Sequence, residues 1–145
     1  MEKIKIMHLI GDLTKGGAER FVVDLCNELA KDDQYEVYLV SICWNDPQET
    51  FVKDIHKNVR YVSFNKGRGF SLKAFLGLTK WLNREEPDVL HSHLNGFEYL
   101  ALYLLASKHT LFFHTIHNIA VAECPNFILK TFRKFWYKIN KVKPV

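Results

Sequence analysis

At 145 residues, 48% of them hydrophobic and 25% charged, the chain has the length and balance of one globular domain and is not a disordered segment. A net charge of +4 and a pI near 8.9, with no recognised nucleic-acid motif beside them, argue against nucleic acid as a partner. Cys26, Cys43 and Cys124 are odd in number and lack C-x-x-C spacing, which argues for free thiols in a reducing compartment over a disulfide framework.

In chain order, the first element is the apolar run Ile4, Ile6, Met7, Leu9 and Ile10. It is short and rich in β-branched residues, as a buried strand is. A turn holding Gly11, Asp12, Thr14, Gly16 and Gly17 follows. Phe21, Val22, Leu25, Cys26 and Leu29 then recur at helical spacing. Strand, glycine turn and helix N-terminus in that order offer backbone N–H groups to an anion. The turn lacks both G-x-G-x-x-G and the G-K-[ST] ending, so two readings stand: an anion site, or glycines needed only for backbone angles.

Tyr35 to Cys43 reads as a second strand, Phe51 to His56 as a short helical piece, and Val59 to Phe64 as a third strand. Ser71 is placed to cap a helix whose Leu72, Phe75, Leu76, Thr79 and Leu82 share a face, and Pro87 with Asp88 ends it. Val89 to His93 is a fourth strand, followed by a helical stripe of Phe97, Leu100, Ala101, Leu104 and Leu105. Thr110 to Ile116 is a fifth strand, and Phe127 to Asn140 a last helix. Strands alternating with helices imply an α/β domain, a Rossmann-like parallel sheet flanked by helices. In such sheets ligands bind beyond the carboxyl ends of the strands, where the strand order reverses.

Two loops besides the glycine turn reach that edge: H-S-H-L-N-G with His91, His93 and Asn95, and F-F-H-T-I-H-N with His114, Thr115, His117 and Asn118. Four of the seven histidines thus converge there. His91 and His93 share one strand face, but no cysteine or carboxylate is placed to complete a metal set, so no metal is expected. Neutral imidazoles that hydrogen-bond hydroxyls are one alternative and satisfied core histidines the other, the latter favoured for His91 and His8.

The wording G-D-L-T-K-G-G-A-E-R resembles the first strand-to-helix loop of retaining GT-B glycosyltransferases, in particular the family 4-like bacterial enzymes of capsule and lipopolysaccharide synthesis. Asp88–Val89–Leu90–His91–Ser92–His93 is similar to their D-[VI]-[VIL]-H-x-H, and F-F-H-T-I-H-N to their histidine near the end of the fifth strand. The likeness covers nearly the whole chain. It implies half of a GT-B fold: residues 1–145 as the N-terminal, acceptor-side domain, with the C-terminal donor-binding domain absent. It implies transfer of a sugar, with retention, from a nucleotide-sugar donor to a glycan or lipid-linked acceptor, with no metal or other cofactor. It further implies a catalytic contact from His114, with His117 the second choice, and substrate contacts from Gly16, Gly17, His93, Asn95, His117 and Asn118. The family's E-x₇-E pair belongs to the other domain; Glu28 and Glu36 match that spacing by accident, since they fall on the first helix and second strand.

The chain ends about where the last strand of such a domain should start. An isolated domain should transfer little or no sugar, because these sites form between two domains. A stand-alone phosphate- or nucleotide-binding module is the rival reading, and a fragment with an open sheet edge a third. After Glu123 there is no acidic residue, while Lys130, Arg133, Lys134, Lys138, Lys141 and Lys143 crowd the tail. Ile128, Phe132, Phe135, Trp136 and Ile139 share one face there. Residues 127–143 therefore read either as a helix covering the sheet, the favoured reading, or as a peripheral membrane contact. Met1 leads directly into charged Glu2, Lys3 and Lys5, and no apolar stretch approaches the roughly 20 residues of a membrane span, so the expected location is cytoplasmic, at most peripheral to the inner membrane face.

Overall fold

The computed structural model describes residues 2–117, 127–139 and 141–145. Six strands form one parallel sheet: β1 (Ile4–Ile10), β2 (Tyr35–Cys43), β3 (Arg60–Lys66), β4 (Val89–His93), β5 (Leu111–Thr115) and β6 (Lys143–Pro144). Their order is β3-β2-β1-β4-β5-β6, so the chain reverses direction across the sheet between β1 and β4. That is the Rossmann-like arrangement, with its switch point between the first and fourth strands.

Helix α1 (Gly17–Leu29) and a short 3₁₀ turn at Phe51–Asp54 cover one face. There Val22, Val23 and Cys26 pack with Ile10, Val37 and Leu39. On the other face lie α2 (Leu72–Glu85), a 3₁₀ segment at Leu94–Leu100 continuing into α3 (Ala101–Ala106), and α4 (Phe127–Lys138). Met7, Leu9, Leu78, Leu82, Phe97, Leu104 and Trp136 form that larger core. No helix among the described residues is long and apolar enough to cross a membrane.

Ser71 caps α2 as expected, its hydroxyl accepting from the Ala74 N–H at 3.2 Å. The helix ends before Pro87 on Glu86, a non-glycine residue in the left-handed region with φ 47°. Helical faces are where expectation and structure differ most. In α1, Phe21 is 51% exposed and Val23 is buried in its stead. The first turn of the helix overhangs the carboxyl edge of the sheet, and there the Phe21 ring meets His117 with centroids 5.7 Å apart. In α2 the buried row is Ala74, Leu78 and Leu82, an i, i+4, i+8 line, while Leu72 and Leu76 face outward. Leu105 of α3 is likewise exposed.

In α4 the buried residues are Arg133 and Trp136, with Phe132 and Tyr137 partly buried against the same core. Ile128, Phe135 and Ile139 are exposed. The apolar stripe is thus divided between two sides of the helix, because a buried ion pair takes the place of one hydrophobic position. The sixth strand does begin within the chain: Lys143 and Pro144 pair with Phe113 and His114, and the Val145 N–H donates to the His114 carbonyl at 2.9 Å.

Candidate functional site

The turn after β1 is built by short-range hydrogen bonds. The Asp12 carboxylate accepts from the Thr14 N–H at 3.1 Å and from the Thr14 hydroxyl, an Asx turn. The Gly11 carbonyl accepts from the Cys43 N–H at 2.8 Å, and buried Asn45 accepts from the Leu13 N–H at 2.7 Å. Gly16 caps α1 in an extended conformation with no side-chain cap. A Cβ there would run into the Glu19 carboxylate, which sits back over the first turn, whereas one at Gly17 would meet nothing within 4 Å. The helix N-terminus therefore borders open space on the Gly17 side and an acidic group on the other.

Beside this turn, at the carboxyl ends of β1 and β2, lies a pocket of about 330 Å³. Gly11 and Asp12 form one wall, Lys66 and Phe70 of the loop after β3 another, and Asn95 and Tyr99 of the 3₁₀ segment a third. The Lys66 ammonium donates to the Gly67 and Gly69 carbonyls at 2.9 and 2.7 Å, which folds the loop, and Gly69 takes the φ of 75° that the loop needs. Phe70 is 71% exposed, with its ring 5.6 Å from that of Tyr99. A carboxylate and an amide beside aromatic faces suit a ligand rich in hydroxyls and C–H groups. Behind the pocket Gly96 lies close to β1: a Cβ there would stand 3.2 Å from the Leu9 carbonyl oxygen.

The histidines divide between the two sheet faces. On the α1 face, His8 of β1 pairs in register with His91 of β4. His8 Nδ1 lies 3.0 Å from His93 Nε2, and His93 Nδ1 lies 3.0 Å from Nε2 of half-buried His117. His91 Nε2 lies 2.7 Å from the Thr115 hydroxyl. Burial disfavours the imidazolium in each strand histidine and neighbouring rings add to the effect. Its pKa is thereby lowered to about 3 in His8 and about 4 in His91, and that of His93 is pushed down as well.

His114 belongs to the other face, because β5 pairs it with Ser92 and not with His91 or His93. It is fully buried. Its Nδ1 is 3.2 Å from the Ser92 carbonyl, which can only accept, so Nδ1 carries the proton and Nε2 is left to accept from Arg133 Nη1 at 3.4 Å. Burial, and next the Arg133 charge, lower its pKa to about 3. Arg133 is 4% exposed and pairs with Glu98 at 2.7 Å, and it donates to the Leu94 carbonyl at 3.3 Å. Leu94 presents that carbonyl by turning through a φ of 49° directly after β4.

Of the residues expected at the site, His93 and His117 are therefore brought together, Asn95 stands at the pocket, and Gly16 and Gly17 lie at the start of α1. His114 lies across the sheet from His93 and His117, and Asn118 falls outside the described residues. Sequence reading passed over His8 as a core histidine, and over Lys66, Phe70, Tyr99 and Arg133, and it named Asp12 in the turn without giving it a contact. The sequence signal for the first pocket wall was the Gly11–Asp12 turn, and for the second the K-G-R-G-F loop. Arg133 carried none, since one arginine in a basic tail looks like its solvated neighbours.

The profile of Glycosyltransferase Family 4 matches residues 15–143. Among solved structures, sucrose-phosphate synthase from Thermosynechococcus elongatus shares the fold, with a TM-score of 0.58 at 15% identity. The match covers 85% of this chain and 35% of that one, so the chain spans about a third of the length of the structure it resembles. No curated protein sequence matches the chain.

The buried neutral histidines make stability depend on pH. An unfolded histidine titrates near 6.5, while folded His8, His91 and His114 do so near 3 to 4. Between those values the unfolded chain binds more protons, so the stabilisation is complete above about pH 6.5 and is lost as the pH falls. The loss approaches about 1.4 kcal/mol per histidine per pH unit. Thermal melts should show a steady fall in Tm from pH 7 to pH 5. A Tm unchanged over that interval would show that these rings are not buried as described.

Proposed function

The chain belongs to glycosyltransferase family 4, and we propose that it is the N-terminal, acceptor-side domain of a retaining GT-B glycosyltransferase that moves a sugar from a nucleotide-sugar donor to a glycan or lipid-linked acceptor. The observation that carries this reading is the pocket at the carboxyl ends of β1 and β2. It joins Asp12 and Asn95, which hydrogen-bond hydroxyls, to the aromatic faces of Phe70 and Tyr99, at the edge where α/β sheets hold ligands. The donor would be held mainly by a second Rossmann-like domain facing this one. No metal is needed for the transfer: a departing diphosphate is stabilised by helix N-termini and basic side chains. A diphosphate would reach α1 from the open Gly17 side, since on the Gly16 side it would have to displace the Glu19 carboxylate.

Half-buried His117, at the sheet edge between Phe21 and His93, is better placed to touch a sugar than fully buried His114. In this reading His114 acts through Arg133 and Ser92, which hold the end of β4 and the start of the Asn95 segment. Kinetics of the complete two-domain enzyme separate these roles. His117→Ala and Asn95→Ala should each lower kcat/KM on the order of 100-fold with Tm nearly unchanged. His114→Ala should lower turnover and Tm together. Full turnover in His117→Ala would remove that residue from the site, and loss of turnover in His114→Ala at unchanged Tm would return the catalytic contact to His114. Robust sugar transfer by the isolated 145-residue chain would contradict the two-domain reading.

The outward side of α4 suits a lipid-linked acceptor. Phe127, Ile128, Phe135 and Ile139 are exposed there, flanked by exposed Lys130, Lys134 and Lys138. In this reading the side chains meet an anionic membrane surface while Arg133 and Trp136 hold the helix to the sheet. Sedimentation with vesicles containing anionic lipid should pull the protein down, and Phe135→Ser should reduce that partition about tenfold. Equal recovery in the supernatant with and without vesicles would remove the membrane from the account.

A further inference from the structure

Three imidazoles from two adjacent strands crowd one point on the α1 face, behind the pocket and apart from it. One ring nitrogen from each of His8, His91 and His93 lies within 4.8 Å of the other two. His8 and His91 are cross-strand neighbours, and His93 is the next residue on the same face of β4. The bland explanation is a hydrogen-bonded chain of core histidines, and the His8–His93–His117 contacts do form such a chain. It does not close. His8 is 2% exposed, yet its Nε2 has no hydrogen-bond partner among the described residues. A neutral imidazole has one donor and one acceptor, so whichever way the protons run along the chain, its last nitrogen remains unsatisfied in the interior.

We propose that His8, His91 and His93 form a zinc site that ties β1 to β4 at the point where the sheet reverses. The lack of a cysteine or carboxylate beside His91 and His93 is no obstacle once β1 supplies a third imidazole, because three histidines with a water or a fourth ring make a complete zinc set. Donors about 2.0–2.1 Å from a tetrahedral ion stand roughly 3.3 Å from one another. No two of the three donor nitrogens are more than 4.8 Å apart, so the widest pair must close by at most about 1.5 Å to reach that geometry.

The surroundings also suit a metal. The Thr115 hydroxyl lies 2.7 Å from His91 Nε2 and so leaves Nδ1 for the ion, while His117 lies 3.0 Å from His93 Nδ1 and so leaves Nε2. Outer partners of this kind fix the tautomer and orientation of metal-bound imidazoles. In this arrangement the ion braces the strands that carry the switch point and takes no part in the proposed sugar transfer. The inference stands or falls without that reading.

The test uses the 145-residue chain, freed of metal with EDTA and then titrated with zinc or with Co²⁺ as a spectroscopic substitute. One equivalent should bind, Co²⁺ should give the visible absorption of a tetrahedral nitrogen site, and zinc should raise Tm by several degrees, reversed by EDTA. Thr115→Val, which removes only the outer partner of His91, should weaken binding by roughly 10- to 100-fold, and His91→Gln by more. His56→Ala and His109→Ala, at exposed positions, should leave it unchanged. Absence of stoichiometric binding by the folded wild-type chain would overturn the proposal. Unchanged affinity in both Thr115→Val and His91→Gln, or loss of binding in an exposed-histidine variant, would do the same.

Discussion

The placement of the four strand histidines, His8, His91, His93 and His114, rests on the register of three neighbouring strands. Side chains alternate across a sheet with a period of two, so a one-residue slip would send each to the opposite face. β1 pairs His8 with His91, and β4 pairs Ser92 with His114 and His93 with Thr115. That register gathers His8, His91, His93 and His117 beneath α1 and sends His114 to the face covered by α4. It is held by burial on both faces: Met7, Leu9 and Leu90 on one side and Ile10 on the other are wholly withdrawn from water.

The second constraint is Arg133. A guanidinium 4% exposed would be costly without partners, and among the described residues these include the Glu98 carboxylate, the Leu94 carbonyl and the His114 imidazole. These contacts join α4 to the end of β4 and to the 3₁₀ segment that carries Asn95 and Tyr99. The left-handed turn at Leu94 costs on the order of 1–2 kcal/mol and aims the carbonyl at Arg133. The edge of the sheet that holds the pocket is thus braced from beneath by one buried side chain. α4 has two duties in consequence, with Arg133 and Trp136 facing inward and an apolar, lysine-flanked side left outward.

Much of the fold was legible because local patterns and tertiary structure agree. The apolar runs of β1, β2 and β4, the glycine turn and the Ser71 cap mark their elements with little ambiguity, and strand–helix alternation implies a parallel sheet. Helical faces were less legible. Apolar residues on a short helix fit two overlapping stripes, and only the neighbouring sheet decides between Phe21 and Val23, or between Leu76 and Leu78. The site was legible in part. The histidine motifs announce themselves, but which face each ring takes depends on pairing partners 20 or more residues away. Residues such as Phe70, Tyr99 and Arg133 belong to no motif, and their roles come from loop geometry and burial.

The division of the histidines between two faces is the central claim, and nuclear Overhauser contacts between imidazole rings test it most directly. In the folded chain, ring protons of His8 should show contacts to His91 and His93, and those of His93 to His117. His114 should show contacts to Phe97 and Tyr137, whose ring centroids lie 4.8 and 6.3 Å from its own. Contacts from His114 to His93 or His117, with none to Phe97, would place β5 one residue out of register and contradict the account.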